Sequence, residues 1–338
     1  MVQRIQNLIG FAAANTIINQ TGEKTLESEN TLLSAVQHEL KKAVVGKDAI
    51  LEKVLMALLA KGHILIEDIP GVGKTTMALA FSKALSLSHN RMQFTPDVLP
   101  SDVIGFNILN KDNIFEYKPG AVFCNLFLAD EINRTSSKTQ SALLEVMEEG
   151  SVTVDAVTRP LPQPFMVIAT QNPSGSIGTQ MLPESQLDRF MIRLSMGYPS
   201  VEDEMQIMKN RQANNPINGV MQIMNSDNIL NLQEQVEQIY IHDRIFLYMA
   251  QLVAASRNHP MVSLGISPRG TIALASMSRA CAYLRGRGYV VPNDIMHVFG
   301  DIANHRIQLN SKARIAHVSM EKVIQEIIGQ VAAPRIQG

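Results

Sequence analysis

The chain has 338 residues, 46% of them hydrophobic, 18% charged and none tryptophan, which supplies apolar material for more than one core and excludes extensive disorder. A formal net charge of −1 carries no footprint for nucleic acid. Cys124 and Cys281, with no C-x-x-C neighbour, read as two buried thiols of a reducing cytosol rather than a disulfide framework or a metal site.

The opening "MVQRIQNLIGFAAANTII" has an early Arg4, but Gln6, Asn7 and Asn15 break its apolar stretch. No secretory leader is expected, and no segment approaches membrane-spanning length. Residues 1–30 end in polar "NQTGEKTLESEN" and read as an N-terminal arm. "TLLSAVQHELKKAVVGKDAILEKVLMALLAKG" has helical spacing interrupted at "VVG", which predicts two helices around a turn at Gly46. Strands and helices then alternate. The short apolar runs "HILIE", "RMQF", "LFLAD" and "FMVIAT" predict strands, and Thr75 to Leu87 and Thr139 to Glu149 predict helices. Such alternation belongs to a parallel sheet with helices on both faces. Small hairpins are expected at about 106–119 and 151–158. Pro199 marks a composition shift, and from there to Gly338 the pattern is helical with no central strand. The expected divisions are therefore an arm over 1–30, an α/β core over 31–198 and a helical domain over 199–338. Met205 with Met208, and Met221 with Met224, recur at helical spacing and are expected to fill core space. The eight histidines are scattered without ligand spacing, and His63 and His305 are expected to serve packing or surface roles.

The strand "HILIE" runs into "DIPGVGKTT". A glycine-rich turn between a strand and a helix lets successive backbone amides point at phosphate oxygens. Pro70, Gly71, Val72, Gly73, Lys74, Thr75 and Thr76 make up this run, with Lys74 reaching the outer phosphates and the Thr75 hydroxyl available to Mg²⁺. Asp68 stands where the usual pattern begins with glycine, so its carboxylate must point away from the phosphates. A second motif, "NLFLADEINR", is an apolar strand ending in two acids. Asp130 suits Mg²⁺, and Glu131 suits proton abstraction from an attacking water. "FMVIATQNP" ends a third strand in polar residues, and Asn172 would fall beside Glu131 to position that water. Arg189 in "LPESQLDRF" and Arg269 in "GISPRG" offer planar, permanently charged forks for transition-state charge.

On these runs, together with "RMQFTPDVLPSDVIG", "FEYKPGAVFCN" and "KTQSALLEVMEE", the chain resembles an AAA+ ATPase of the MoxR family across roughly residues 31–310. The resemblance implies an α/β P-loop NTPase fold: a five-stranded parallel sheet with helices on both faces and two small insertions, followed by a small all-helical lid. That family's loop tolerates an acid in place of the first glycine. It implies Walker roles for Lys74, Thr75, Asp130 and Glu131, a sensor 1 role for Asn172, an arginine finger at Arg189, a sensor 2 role for Arg269, and Val45 and Gly46 near the adenine. ATP and Mg²⁺ are the expected ligands. The implied assembly is a cytoplasmic homo-oligomeric ring, hexameric in the family, acting on a client protein. Members of the family commonly work with proteins that bear von Willebrand factor A domains, in maturation or metal-insertion roles. Ser174, Gly175 and Ser176 depart from the bulkier or charged residues common there.

Two other readings use the same motifs. A DNA-remodelling motor would need basic or aromatic insertions, whereas Lys111, Lys118 and Arg159 are balanced by Asp112, Glu116 and Asp155. A non-hydrolysing, ATP-gated scaffold is opposed by the intact Glu131.

Overall fold

In the computed structural model, residues 29, 31–69, 71–172, 182–213 and 215–335 are described. The arm over 1–28 and the departure at Ser174, Gly175 and Ser176 lie outside them.

Helix α1 (31–43) and α2 (Asp48–Leu59) flank the turn at Gly46 and lead into β1 (Ile64–Glu67). There follow α3 (Lys74–Ala84), β2 (His89–Gln93), α4 (Pro100–Ile104), the hairpin β3 (Gly105–Leu109) and β4 (Phe115–Pro119), β5 (Leu126–Asp130) and α5 (Ser137–Glu149). A second hairpin, β6 (Ser151–Val154) and β7 (Val157–Pro160), precedes β8 (Met166–Gln171), α6 (Glu184–Leu187) and β9 (Ile192–Leu194). The remainder is α7 (Val201–Ala213), α8 (Ser226–Glu237), α9 (Asp243–Asn258), β10 (Val262–Leu264), α10 (Pro268–Leu284), α11 (Pro292–Ala303), β11 (Gln308–Leu309), α12 (Ser311–Ile315) and α13 (Met320–Gln330).

The central sheet has the order β2-β5-β8-β1-β9 and is parallel throughout. Its three central strands, β5, β8 and β1, read as apolar runs because both faces are covered, whereas the edge strand β2 is polar and exposed. Ile64, Ile66, Leu126, Leu128, Met166 and Ile168 face one core, whereas Leu65, Phe127, Ala129, Val167 and Ala169 face another. The first core continues without a break into α8, α9, α10, α11 and α13, so the C-terminal helices and the sheet share one apolar interior. The second lies under α5 and the hairpins. Asn107 of β3 donates to Asp155 between β6 and β7 at 2.6 Å, and the Arg159 guanidinium lies 3.8 Å from the Tyr117 ring centre, which packs the two hairpins together.

Two features escaped the sequence reading, and one expectation needs correction. The C-terminal region is helical except for a small antiparallel ribbon of β10 and β11, segments too short to carry an alternation signal. The fifth sheet strand, β9, has only three residues with Arg193 in the middle, so it leaves no apolar run. Of the four methionines expected in the core, only Met224 is buried. Met205, Met208 and Met221 are 46%, 62% and 59% exposed, because spacing puts residues on one face without supplying a partner for it.

The helical region is fastened to the loop before β9 by Arg306. This buried guanidinium donates to Asp188 Oδ1 at 2.7 Å and to the carbonyls of Met191, Ile302, Asp188 and Phe190. Asp188 also accepts from the hydroxyl of Ser267, the N-cap of α10.

His63 and His305 are both buried. His63 Nδ1 accepts from the Val167 amide at 2.9 Å while Nε2 meets the Met147 carbonyl at 2.8 Å, the pattern of a neutral ring. Burial pushes His63 down to about 4. Burial and the neighbouring Arg306 charge hold His305 well below the usual histidine range. Unfolded histidine takes its proton near the ordinary value, so between about 6.5 and 4 the unfolded chain binds more protons than the native one. The stabilisation present above that window is lost as pH falls through it, by about 3 kcal/mol for His63 alone. Urea denaturation at pH 7, 5.5 and 4.5 should show this decline, and His63→Gln should flatten it. An unchanged slope in that variant would remove His63 as a cause.

Candidate functional site

After β1 the Asp68 amide still bonds the Gln171 carbonyl at 3.2 Å, and the chain then turns away from the sheet. Gly71 and Gly73 adopt φ of +89° and +97°, a region that favours glycine. Helix α3 begins at Lys74 with Gly73 as its N-cap and no side-chain cap, which leaves its first amides available to an anion. The Lys74 ammonium is buried against the Asp68 and Ile69 carbonyls at 3.1 and 3.3 Å. Desolvation lowers its pKa, and the charges of Asp130, Asp68 and Glu131 oppose that shift.

The Asp68 carboxylate does turn away from the loop. Its Oδ2 accepts from the Met196 and Gly197 amides at 2.5 and 2.7 Å and from the Ser195 hydroxyl at 3.3 Å, and its Oδ1 accepts from the Ile69 amide at 2.9 Å. The acid thus pins the loop after β1 to the chain leaving β9.

Lys74, Thr75, Asp130, Glu131 and Asn172 line one cavity at the carboxyl ends of the strands, together with Arg91 and Gln93. Asn172 Nδ2 donates to Glu131 Oε1 at 3.0 Å, and Arg134 Nη1 to Glu131 Oε2 at 2.7 Å. Glu131 itself has φ of +56°. Its amide donates to the Thr170 hydroxyl at 2.9 Å, and that hydroxyl donates to Asp130 Oδ1 at 2.6 Å. Asp130 Oδ2 pairs with Arg91 at 2.7 Å. Arg91, Arg134 and Thr170 escaped the sequence reading. The pairing of β2 with β5 that brings Arg91 near Asp130 has no sequence signal, although Arg134 stands only three positions after Glu131.

The adjoining cavity is lined by Val45, Val72 and Thr76 and by Ile207, Asn210 and Arg211 of α7, residues the sequence did not single out. Gly46 acts through the lack of a side chain: at φ of +70° its Cβ would lie 2.1 Å from Asp203 Oδ2, so glycine lets α7 seat against the turn. Lys47 fastens the same turn to the Tyr198 carbonyl at 3.0 Å. Pro70 lies outside the described residues.

These residues fit a magnesium nucleotide. Free helix amides and an ammonium face the place of the phosphates, a hydroxyl and a carboxylate are present for a hard cation, and Asn172 Oδ1 is buried with no partner among the described residues.

Arg189 and Arg269 are elsewhere. Both pair with Glu148 at the end of α5, Arg189 at 3.0 Å, in a cavity shared with Gly62 and His63. His63 precedes β1 and Asp68 follows it, a separation of roughly 17 Å at about 3.3 Å per residue. The two arginines are thus together, at the amino ends of the strands, and apart from Lys74 of their own chain.

Residues 63–192 match the model of the ATPase family associated with various cellular activities (AAA), and residues 254–327 match the AAA lid domain. The Bacillus subtilis protein YeaC is 45% identical over 309 residues, 91% of this chain and 97% of that protein. Chaperone MoxR1 of Mycobacterium tuberculosis is 38% identical over 325 residues, 93% of this chain and 86% of that protein. A crystal structure from Cytophaga hutchinsonii superposes with a TM-score of 0.87 at 36% identity, covering 94% of this chain and 99% of that one.

Glycine at position 68 would match the commoner loop pattern yet leave the Met196 and Gly197 amides unpaired. Asp68→Gly should lower stability by about 2–4 kcal/mol in nucleotide-free protein, as measured by urea denaturation. A variant as stable as the parent would show that the acid does not pin the loop.

Proposed function

The chain belongs to the MoxR family of AAA+ ATPases, and from that premise we propose that it hydrolyses ATP at the contacts between its own copies in a ring and uses the cycle to remodel or mature a client protein. The observation that carries this reading is the separation of the phosphate site from the Arg189 and Arg269 pair. Two guanidiniums at the amino ends of the strands reach a γ-phosphate only in a neighbour's pocket, which calls for a head-to-tail assembly that closes. We take that ring as hexameric by family likeness. An exposed apolar stripe of Val201, Met205 and Met208 beside the nucleotide cavity supports burial there by a second copy. Arg269 in this reading serves the neighbour's nucleotide together with Arg189.

Within one pocket, the α3 amides and Lys74 hold the phosphates, and Val45, Val72 and Ile207 enclose the base. Mg²⁺ held by Thr75 and Asp130 would supply charge neutralisation at the outer phosphates. Glu131 takes the proton of the attacking water, and Asn172, already bonded to Glu131, orients that water through its unpartnered oxygen. The proposed divisions are an arm over 1–30, a core over 31–198 and a lid over 199–338, in a cytoplasmic protein. No helix among the described residues is long and apolar enough to cross a membrane.

The first hairpin exposes Phe106, Leu109, Ile114 and Phe115. Its two phenylalanines suit stacked bases as well as a protein, and it is the balanced charge of Lys111 and Lys118 against Asp112 and Glu116 that favours a protein client over DNA. A client with a von Willebrand factor A domain, including maturation by metal insertion, is the partner class the family likeness supports.

Lys74→Ala should abolish ATP binding in titration calorimetry, because phosphate charge is left uncompensated. Glu131→Gln should bind ATP normally and hydrolyse it at least a hundredfold more slowly, since an amide takes no proton. Near-normal turnover would put the base elsewhere.

Arg189→Ala should keep ATP binding and lose most turnover. Mixing it with Lys74→Ala pairs competent pockets with intact arginines from neighbours, so part of the activity should return. Steady-state ATPase against mixing ratio, with co-assembly confirmed by size, measures this. A flat line at background would refute action across the interface.

A further inference from the structure

Glu148 is the last but one residue of α5 and sits between two guanidiniums that come from different parts of the chain. Arg189 belongs to the loop before β9, and Arg269 stands in the first turn of α10, beyond α7, α8 and α9. Glu148 Oε2 forms an ion pair with Arg189 Nη1 at 3.0 Å, and Glu148 Oε1 accepts a short bond from Arg269 Nη2. Arg189 has a second anchor, the Leu144 carbonyl at 2.8 Å, whereas Arg269 has none but Glu148 among the described residues.

We propose that Glu148 is a positioning residue which holds Arg189 and Arg269 as one preassembled fork for a neighbour's γ-phosphate, a role that rests on the interface reading above. Two like charges repel, and without an anion between them the more loosely held Arg269 would swing away from Arg189. A carboxylate with one oxygen for each guanidinium fixes their mutual geometry. It does so without exhausting them: each guanidinium has five N–H donors, and Glu148 together with Leu144 engages a single nitrogen of each. The remaining edges stay available for phosphate oxygens. All three side chains are partly exposed, and exposed ion pairs contribute little to stability. Glu148 therefore has small value as a staple and much larger value as an aligning group, because a misplacement of about 1 Å can cost up to a hundredfold in rate.

The test uses full-length Glu148→Ala beside Arg189→Ala and Lys74→Ala. Glu148→Ala should melt within a few degrees of the parent, keep its KM for ATP and lose roughly ten- to a hundredfold in kcat. Mixed with Lys74→Ala it should regain activity, because each Lys74→Ala neighbour supplies an aligned pair. Mixed with Arg189→Ala it should regain none, since both are defective as donors. If Arg189→Ala and Lys74→Ala fail to complement, the interface reading falls and takes this role with it. If they complement but Glu148→Ala has parental or raised kcat, the interface stands and the positioning role is wrong. Loss of kcat that Lys74→Ala does not rescue would put Glu148 in its own pocket or in the fold, and equally overturns the proposal.

Discussion

The bond between Asp188 and Arg306 is the constraint on which the arrangement of this molecule rests. A buried guanidinium is costly unless its donors are met, and here Asp188 and four backbone carbonyls meet them. Because those carbonyls belong to the loop before β9 and to α11, the helical region has one permitted seat on the sheet. The same carboxylate receives the Ser267 N-cap hydroxyl. Asp188 precedes Arg189 and Ser267 stands two positions before Arg269, so seating the helices also brings these arginines together. At the other end of the strands Asp68 does corresponding work, tying the phosphate loop to residues 195–197. Two buried or half-buried aspartates thus set the two ends of the machine.

Much of this was legible in the sequence wherever burial on both faces forces an uninterrupted apolar run. Strands β1, β5 and β8 announced themselves that way, and the polar residues at their ends, Asp130, Glu131 and Asn172, could be expected on one edge because parallel strands end together. The phosphate loop was legible from its glycines. What escaped depends on lateral relations. Arg91 reaches Asp130 because β2 lies beside β5, and no property of "RMQF" states its neighbour. Strand β9 is three residues long and interrupted by Arg193, which Glu67 and Asn304 satisfy through side-chain bonds that leave no periodic trace. The exposed methionines of α7 follow the same logic in reverse: helical spacing defines a face, and only the fold decides what that face meets.

Asp68 is the instructive case between these extremes. That its carboxylate had to leave the phosphate side followed from charge alone. Its destination, the amides of Met196 and Gly197, lies about 130 residues further along the chain, and pairings at such separation are written in the fold and not in any local pattern.

The unbroken apolar interior that runs from the sheet into α10, α11 and α13 has a mechanical meaning. A lid with its own core could flap on a hinge and dissipate the energy of a cycle inside one chain. Here, opening the seam would expose close-packed side chains at a cost comparable to local unfolding, so the sheet and its helices move as a single lever. In the ring proposed above, such a body would pass work released at one phosphate site to the next copy as rotation of the whole. On that reading the stiffness of the shared core, more than the strength of any contact at the nucleotide, would set how much of a stroke reaches a distant hairpin.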